Sequence, residues 1–309
     1  MSAPLPISVI IPHHNRSELL GTALKSILGQ TCPPSEIIVV DDCSAPPHRE
    51  AIRAWSSHTR IIFLDPGGGP AKARNAGIEV ASQDWVAFLD DDDEWLPEKL
   101  AMQWKVLNAD LSLSAVVGAP VIVSDTREPW TMVSHSPEIL TLAAALEDNA
   151  AFIQTALVKT ATIRALKGFD TNLLCLEDQD FWIRFTAAGF RCRNDGVPVM
   201  ILNRRRIKRL STYWRRCIES QFKVIAKHEH LYVTEFGPGA AKRARSKAIS
   251  RAGLESGGIV GRVLFATGCV YGGDLRRLLT LLSTGKMPII PYGVTENSDS
   301  RAPKTRTLP

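Results

Sequence analysis

Trp85–Leu100 reads W-V-A-F-L-D-D-D-D-E-W-L-P-E-K-L, a short apolar run followed by four consecutive aspartates. Four adjacent carboxylates repel one another, and no regular element requires them. The run before them, Trp85–Leu89, has the length and apolar character of a buried strand. Three segments upstream share that form: Ile7–Pro12 (I-S-V-I-I-P), Glu36–Val40 (E-I-I-V-V) and Arg60–Leu64 (R-I-I-F-L). Between the first two, Leu19, Leu20, Ala23, Leu24, Ile27 and Leu28 recur with a 3.6-residue period, Asn15 and Ser17 are the expected caps, and Pro33-Pro34 ends the helix. His48–Ser57 and Ala71–Ala81 read as two more helices. Strands alternating with helices predict an α/β, doubly wound parallel sheet.

In such sheets ligands bind at the carboxyl ends of the strands. That is where the polar residues gather: His13, His14 and Asn15 after the first strand, Asp41-Asp42 after the second, the loop Pro66–Pro70 after the third, and Asp90–Asp93 after the fourth. Four polar strand ends make a site. Crowded carboxylates are best stabilised by a divalent cation, and Mg²⁺ and Mn²⁺ favour carboxylates, phosphates and water as ligands. The expected ligand is therefore a metal–phosphate complex. Gly67-Gly68-Gly69-Pro70-Ala71-Lys72-Ala73-Arg74-Asn75 adds a flexible turn at a helix start with two cations in its first turns, a phosphate-favouring arrangement. It lacks the Gly-Lys-Ser/Thr ending of a P-loop and does not match G-x-G-x-x-G. Asp93 and Glu94 are read as the start of the next helix, stabilised by its dipole.

Beyond Leu100 the expected elements are strands at Ala115–Val123, Ile153–Lys159 and Val197–Asn203, a helical turn at Thr160–Ala165 and a helix at Glu177–Ala188. Thr212–His228 is an amphipathic helix with Trp214, Ile218, Phe222 and Ile225 on one face, Ala240–Ala252 is a basic helix, and Val260–Leu282 is apolar but broken by glycines. The tail from Thr295 is polar and expected to be disordered. The expected organisation is a catalytic domain over residues 1–210 (nucleotide half 1–100, acceptor half 101–210), a basic helical extension over 211–294, and a tail over 295–309.

The 309 residues are 45% hydrophobic and 22% charged, enough to bury a sizeable core without staples. Six scattered cysteines with no C-x-x-C pair argue against a zinc site or a disulfide framework and suit a reducing cytosol. No signal peptide and no apolar run of about 18 residues is seen, so a cytoplasmic location without a spanning helix is expected. The net charge of +5 is uneven: residues 201–251 carry 14 Lys/Arg against 3 Glu. No nucleic-acid module or interleaved aromatic surface accompanies these charges, so no nucleic-acid partner is expected. A peripheral contact with an anionic membrane face suits them better.

The segments S-V-I-I-P-H-H-N-R, I-I-V-V-D-D-C-S, G-G-P-A-K-A-R-N-A-G-I and F-L-D-D-D-D-E-W-L-P-E-K-L together resemble family 2 of the glycosyltransferases, and L-E-D-Q-D-F-W-I-R at Leu176–Arg184 resembles that family's E-D segment. The resemblance covers roughly Ile7 to Tyr213. It implies the GT-A fold, a mixed, doubly wound sheet with a Rossmann-like nucleotide half. It also implies inverting transfer of a sugar from a nucleoside-diphosphate donor to an acceptor hydroxyl, a sugar or lipid-linked glycan in bacterial surface polysaccharide or glycolipid assembly. By resemblance, Pro12, His14, Asn15, Asp42, Arg74, Asp90 and Asp91 serve the nucleotide sugar. Asp42 takes the base, His14 stands where relatives often stack a tyrosine, and Arg74 meets nucleotide or phosphate. Asp92 is the metal ligand for Mg²⁺ or Mn²⁺, and Asp178 is the catalytic base.

Two departures stand beside this. Asn203–Ser211 (N-R-R-R-I-K-R-L-S) has no histidine where many relatives complete the metal site, leaving Arg204, Arg205 or Arg206 as candidates for the pyrophosphate. The Q-x-x-R-W segment of processive synthases is also absent, which favours single additions. The rival readings are a nucleotidyltransferase and a catalytically inactive nucleotide-sugar-binding or scaffold protein.

Overall fold

A computed structural model describes residues 3–123, 130–131, 138–147, 151–203, 214–256 and 258–273. The N-terminal part runs β1 (Leu5–His13), α1 (Ser17–Leu28), β2 (Pro34–Asp42), α2 (Pro46–Arg53), β3 (Arg60–Leu64), α3 (Gly69–Val80) and β4 (Trp85–Phe88). It is followed by β5 (Glu94–Trp95), α4 (Lys99–Ala109), β6 (Ala115–Val123), β7 (Trp130–Thr131) and α5 (Leu142–Glu147). A 3₁₀ turn (Ile153–Thr155) leads to β8 (Leu157–Lys159), α6 (Thr160–Ala165), α7 (Glu177–Ala187) and β9 (Cys192–Asn203). Four helices end the described chain: α8 (Trp214–Lys227), α9 (Glu229–Phe236), α10 (Ala240–Ser256) and α11 (Gly258–Gly272).

One mixed sheet orders its strands β3-β2-β1-β4-β8-β6-β9-β5, with β7 paired to β6. The first four are parallel, and β8 enters antiparallel to both β4 and β6. The strands are apolar at nearly every position because helices cover both faces. Along β1, Ile7, Val9 and Ile11 pack with Leu20, Leu24 and Ile27 of α1, whereas Ile10 faces the opposite core with Ala71, Ala73 and Ile78 of α3. The period of two thus feeds two cores from one strand.

Helix α3 lies especially close to the sheet. A Cβ built on Gly77 would stand 2.4 Å from Ile10 Cγ2, and Ile10 is wholly buried. The neighbouring Asn75 donates to the Phe169 carbonyl and accepts from the Phe169 N–H, both at 2.8 Å, tying α3 to the chain that leads into α7. The C-terminal helices share this core, since Val224, Ile225, Tyr232, Ala240 and Ala241 belong to the same buried cluster as Ile10 and Phe88. On α8 the buried face is set by Val224 and Ile225, while Phe222 stays 36% exposed.

Several boundaries differ from the sequence reading. Asp93 and Glu94 do not begin a helix: Glu94 and Trp95 pair antiparallel with Ile201 and Met200 of β9, and α4 starts at Lys99. Pairing there satisfies the backbone and buries the Trp95 ring, which a solvated helix start after Asp93 would have left out. Neither Asn15 nor Ser17 caps α1. Arg16 holds that position without a side-chain cap bond, and Asn15 turns to φ 54. Helix α2 begins earlier than expected, because Pro46-Pro47 suit a first helical turn whose N–H groups have no intrahelical partner. The segment from Ile153 is a 3₁₀ turn before it becomes strand. Arg204–Arg206, most of the apolar stretch after Gly272 and the tail from Thr295 lie outside the described residues.

Gly77→Ala should lose about 1–2 kcal/mol, because overpacking against Ile10 outweighs the better helix propensity of alanine. Urea unfolding should show a lower midpoint at unchanged m; an equal or higher midpoint would show that Ile10 can give way.

Candidate functional site

The carboxyl ends of β1, β2, β3 and β4 lie side by side, with His13 in register with Asp41 and Asp42 with Leu64. Asp41 and Asp42 point to different tasks. Asp41 is fully buried and accepts from the Ser44 N–H and from Arg49 Nε at 2.8 Å, so it orders the turn after β2. Asp42 faces the glycine loop and accepts from the Gly68 and Gly69 N–H groups, each at 2.7 Å. A side chain at Gly67 would bring a Cβ to 2.9 Å from the Asp42 carbonyl, so glycine permits this approach. Lys72 Nζ donates to the Pro66 carbonyl at 2.8 Å and closes the loop from its other end.

His14 is exposed beside Asp42. Its Nδ1 lies 2.8 Å from the Asp42 carbonyl and must donate, which leaves Nε2 to accept from the Asn15 amide at 3.0 Å. Asn15 also binds the turn after β2, through its N–H to Ser44 Oγ and its Oδ1 from the Ala45 N–H. Pro12 is buried inside β1, in register with Val40.

The four aspartates separate. Asp90 accepts from Arg74 at Oδ1 (2.7 Å) and from the Gln154 amide at Oδ2 (2.5 Å). Asp91 turns to the opposite side, with Oδ2 at 2.9 Å from His13 Nδ1 and Oδ1 at 3.2 Å from Arg16. Asp92 meets the same Arg16 nitrogen at 3.1 Å. Asp93 is 1% exposed and accepts from the Asn203 N–H at 2.9 Å, so it anchors the end of β9 rather than capping a helix. Among the described residues, Asp90, Asp92 and Asp93 bring one oxygen each to within 4.8 Å of one another. Three carboxylate oxygens form a hard donor set, the chemistry that Mg²⁺ or Mn²⁺ selects.

Arg74 joins this cluster to the E-D segment. One terminal nitrogen donates to Asp90 and the other to Glu177 Oε1 at 2.6 Å, with the side chain only 3% exposed. Burial alone would lower its pKa; the two carboxylates overcome that and hold it above its ordinary range. Glu177 and Asp178 open α7, where the helix dipole favours acidic residues. The preceding Leu176 sits at φ 64, a left-handed conformation costing about 1–2 kcal/mol that turns the chain into this helix. Asp178 is half-buried and accepts from the Gln179 N–H at 2.9 Å. Arg184 pairs with Asp180, two residues on, rather than with Asp178. Asp180 also binds His228 and Lys227 of the C-terminal helices; these partners overcome its burial and hold it well below the usual carboxylate range.

Two contributors had no sequence signal. Gln154 reaches Asp90 across 64 residues, and it is placed by contacts that only the fold creates. Trp95 Nε1 donates to the Gln154 carbonyl, and Gln103 donates to the Thr155 carbonyl. Gln103 in turn accepts from the buried Lys99, whose pKa burial pushes down to about 7. The cysteines read as scattered, yet the Cys175 and Cys217 thiols lie 2.7 Å apart. That contact, with burial, pushes the Cys175 thiol up.

The model of the family described as "Glycosyl transferase family 2" matches residues 8–167, more than half of the chain. This chain belongs to that family. The glycosyltransferase is 28% identical over 187 residues to TuaG of Bacillus subtilis, named for teichuronic acid biosynthesis, covering 60% of this chain and 73% of TuaG. It is 35% identical over 98 residues to the Escherichia coli UDP-Glc:alpha-D-GlcNAc-diphosphoundecaprenol beta-1,3-glucosyltransferase WfgD, covering 31% of this chain and 39% of WfgD. The fold matches the crystal structure of S. aureus TarS 1-349 in complex with UDP-GlcNAc at a TM-score of 0.63 and 18% identity, over 91% of this chain and 93% of that one. This likeness shows the GT-A architecture of the glycosyltransferase.

Arg74→Met should destabilise the glycosyltransferase by about 3 kcal/mol, because it leaves Asp90 and Glu177 facing each other without their shared cation. Equilibrium unfolding at pH 7 checks this, and a loss below about 1 kcal/mol would mean that solvent replaces the guanidinium.

Proposed function

We propose that the protein transfers a sugar from a nucleoside-diphosphate donor to an acceptor hydroxyl with inversion at the anomeric carbon, one sugar per encounter, in the assembly of a surface polysaccharide or a lipid-linked glycan. The observation that carries this reading is the Arg74 junction, which holds the aspartate run and the Glu177–Asp178 segment together at one end of the sheet. The names of TuaG and WfgD support the polymer and the lipid-linked acceptor, and TarS supports a uridine nucleotide donor.

In this mechanism Asp42 and His14, at the mouth beside the glycine loop, receive the nucleotide base. The 2.7 Å bonds from Gly68 and Gly69 fix the orientation of the Asp42 carboxylate. Asp92, with Asp90 and Asp93 beside it, would hold a divalent cation. A cation bound there would supply Lewis-acid stabilisation for the negative charge of the leaving diphosphate. Asp178 accepts the acceptor's hydroxyl proton as the new C–O bond forms and the old one breaks, with the electron pair leaving on the diphosphate oxygen. Asp90, clamped on both oxygens, keeps the aspartate run in register with that base.

The basic C-terminal helices bring the enzyme to an anionic bilayer in this reading. Among the described residues no helix is long and apolar enough to cross a membrane. Helix α11 nevertheless exposes Val263, Val270 and Tyr271, with Lys242 over the Tyr271 ring. Binding to vesicles should rise with anionic-lipid content, and co-sedimentation that ignores lipid charge would remove this element.

The central test is turnover of a panel of nucleotide sugars with Mn²⁺ and a lipid-linked acceptor. Asp178→Asn should lower kcat about a thousandfold while leaving donor KM nearly unchanged. Asp92→Asn should raise the Mn²⁺ concentration needed for half-maximal rate. Wild-type turnover by Asp178→Asn would remove it as the base. A wild type inert towards every donor, yet stabilised by one of them, would favour a binding protein.

A further inference from the structure

Each aspartate of the run has a partner within the protein, but the partners differ in burial. Arg74, on Asp90, is 3% exposed and also holds Glu177, so it cannot leave without breaking the junction. The Asn203 N–H on Asp93 belongs to a strand. Arg16 differs. Its side chain is 29% exposed, it stands at the N-cap of α1 next to Asn15, and one of its nitrogens spans Asp91 and Asp92 at 3.2 and 3.1 Å. Asp91 has a second partner in the buried His13, so it stays held if Arg16 turns away.

We propose that Arg16 is an internal placeholder cation for the metal site. It occupies Asp92 in the nucleotide-free protein, yields that carboxylate when a divalent cation arrives with the donor, and moves its charge to the diphosphate. The inference rests on the metal-dependent reading of the aspartate run. It adds a residue that makes metal binding conditional on nucleotide. Two cations compete for the Asp92 carboxylate, so the guanidinium must weaken metal binding while no phosphate is present. Once a diphosphate is bound, the forked guanidinium gains a multi-oxygen acceptor better suited to it than two carboxylate oxygens reached by a single nitrogen. The same side chain therefore opposes metal alone and favours metal with nucleotide. This is a positioning role, since Arg16 acts on the metal through Asp92.

The test is Mn²⁺ binding, followed by electron paramagnetic resonance of the free ion, for wild type, Arg16→Gln and Arg16→Lys, each with and without UDP. Arg16→Gln should bind Mn²⁺ about tenfold more tightly than wild type without UDP. With UDP present its advantage should vanish or reverse, so the coupling between Mn²⁺ and UDP falls by at least the same factor. Arg16→Lys keeps the charge and should stay within about threefold of wild type in UDP-free Mn²⁺ affinity. Thermal melting of each variant confirms that it is folded, and the Lys variant provides a reading if the Gln variant is not. Unchanged or weaker UDP-free Mn²⁺ binding by Arg16→Gln overturns the proposal, as does a Lys variant that binds as tightly as the Gln variant. Wild type that binds no Mn²⁺ with or without UDP overturns the metal reading itself, and the proposal with it.

Discussion

The buried guanidinium of Arg74 is the constraint around which the site is assembled. It takes one carboxylate from the end of β4 and another from the start of α7, two segments separated by almost ninety residues. Removing a guanidinium and two carboxylates from water is costly, and the cost is recovered only when all three meet in good geometry. The rest of α3 serves that meeting. Gly77 lets the helix lie against Ile10, and Asn75 grips Phe169 on the approach to α7. The segment A-R-N-A-G is thus a docking face for the chain around Phe169 and Glu177 as much as a part of the N-terminal sheet layer.

With that junction set, the aspartate run becomes a distribution of charge among four neighbours. Asp90 is spent on Arg74 and Gln154, Asp91 on His13 and Arg16, Asp93 on the last residue of β9, and Asp92 meets the accessible Arg16. Successive residues leaving a strand point in different directions, so a tetrad that looks uniform in sequence serves four places. Three of its carboxylate oxygens still converge, which keeps the chemistry of a cation site.

Much of this was legible beforehand. The four apolar strands, the polar residues at their carboxyl ends and the glycine loop follow from local pattern, because a strand buried on both faces must be apolar throughout. Family membership and the GT-A sheet agree with the motifs quoted at the outset. The misreadings share one cause. Glu94 and Trp95 look like a helix start until β9 arrives to pair with them, and Asn15 looks like a cap until the turn after β2 claims its side chain. Cys175 and Cys217, 42 residues apart, meet only because α8 packs beside the start of α7.

The sequence by itself determined which residues could do chemistry and at which ends of which strands they stand, since periodicity and strand-end placement are properties of a few consecutive residues. Only the tertiary structure decided which carboxylate faces which cation. Gln154, Glu177 and Asn203 reach the aspartate run, directly or through Arg74, across 64 to 110 residues. No local pattern encodes such contacts; they exist because burial forces every charged and polar group in this end of the sheet to find a partner.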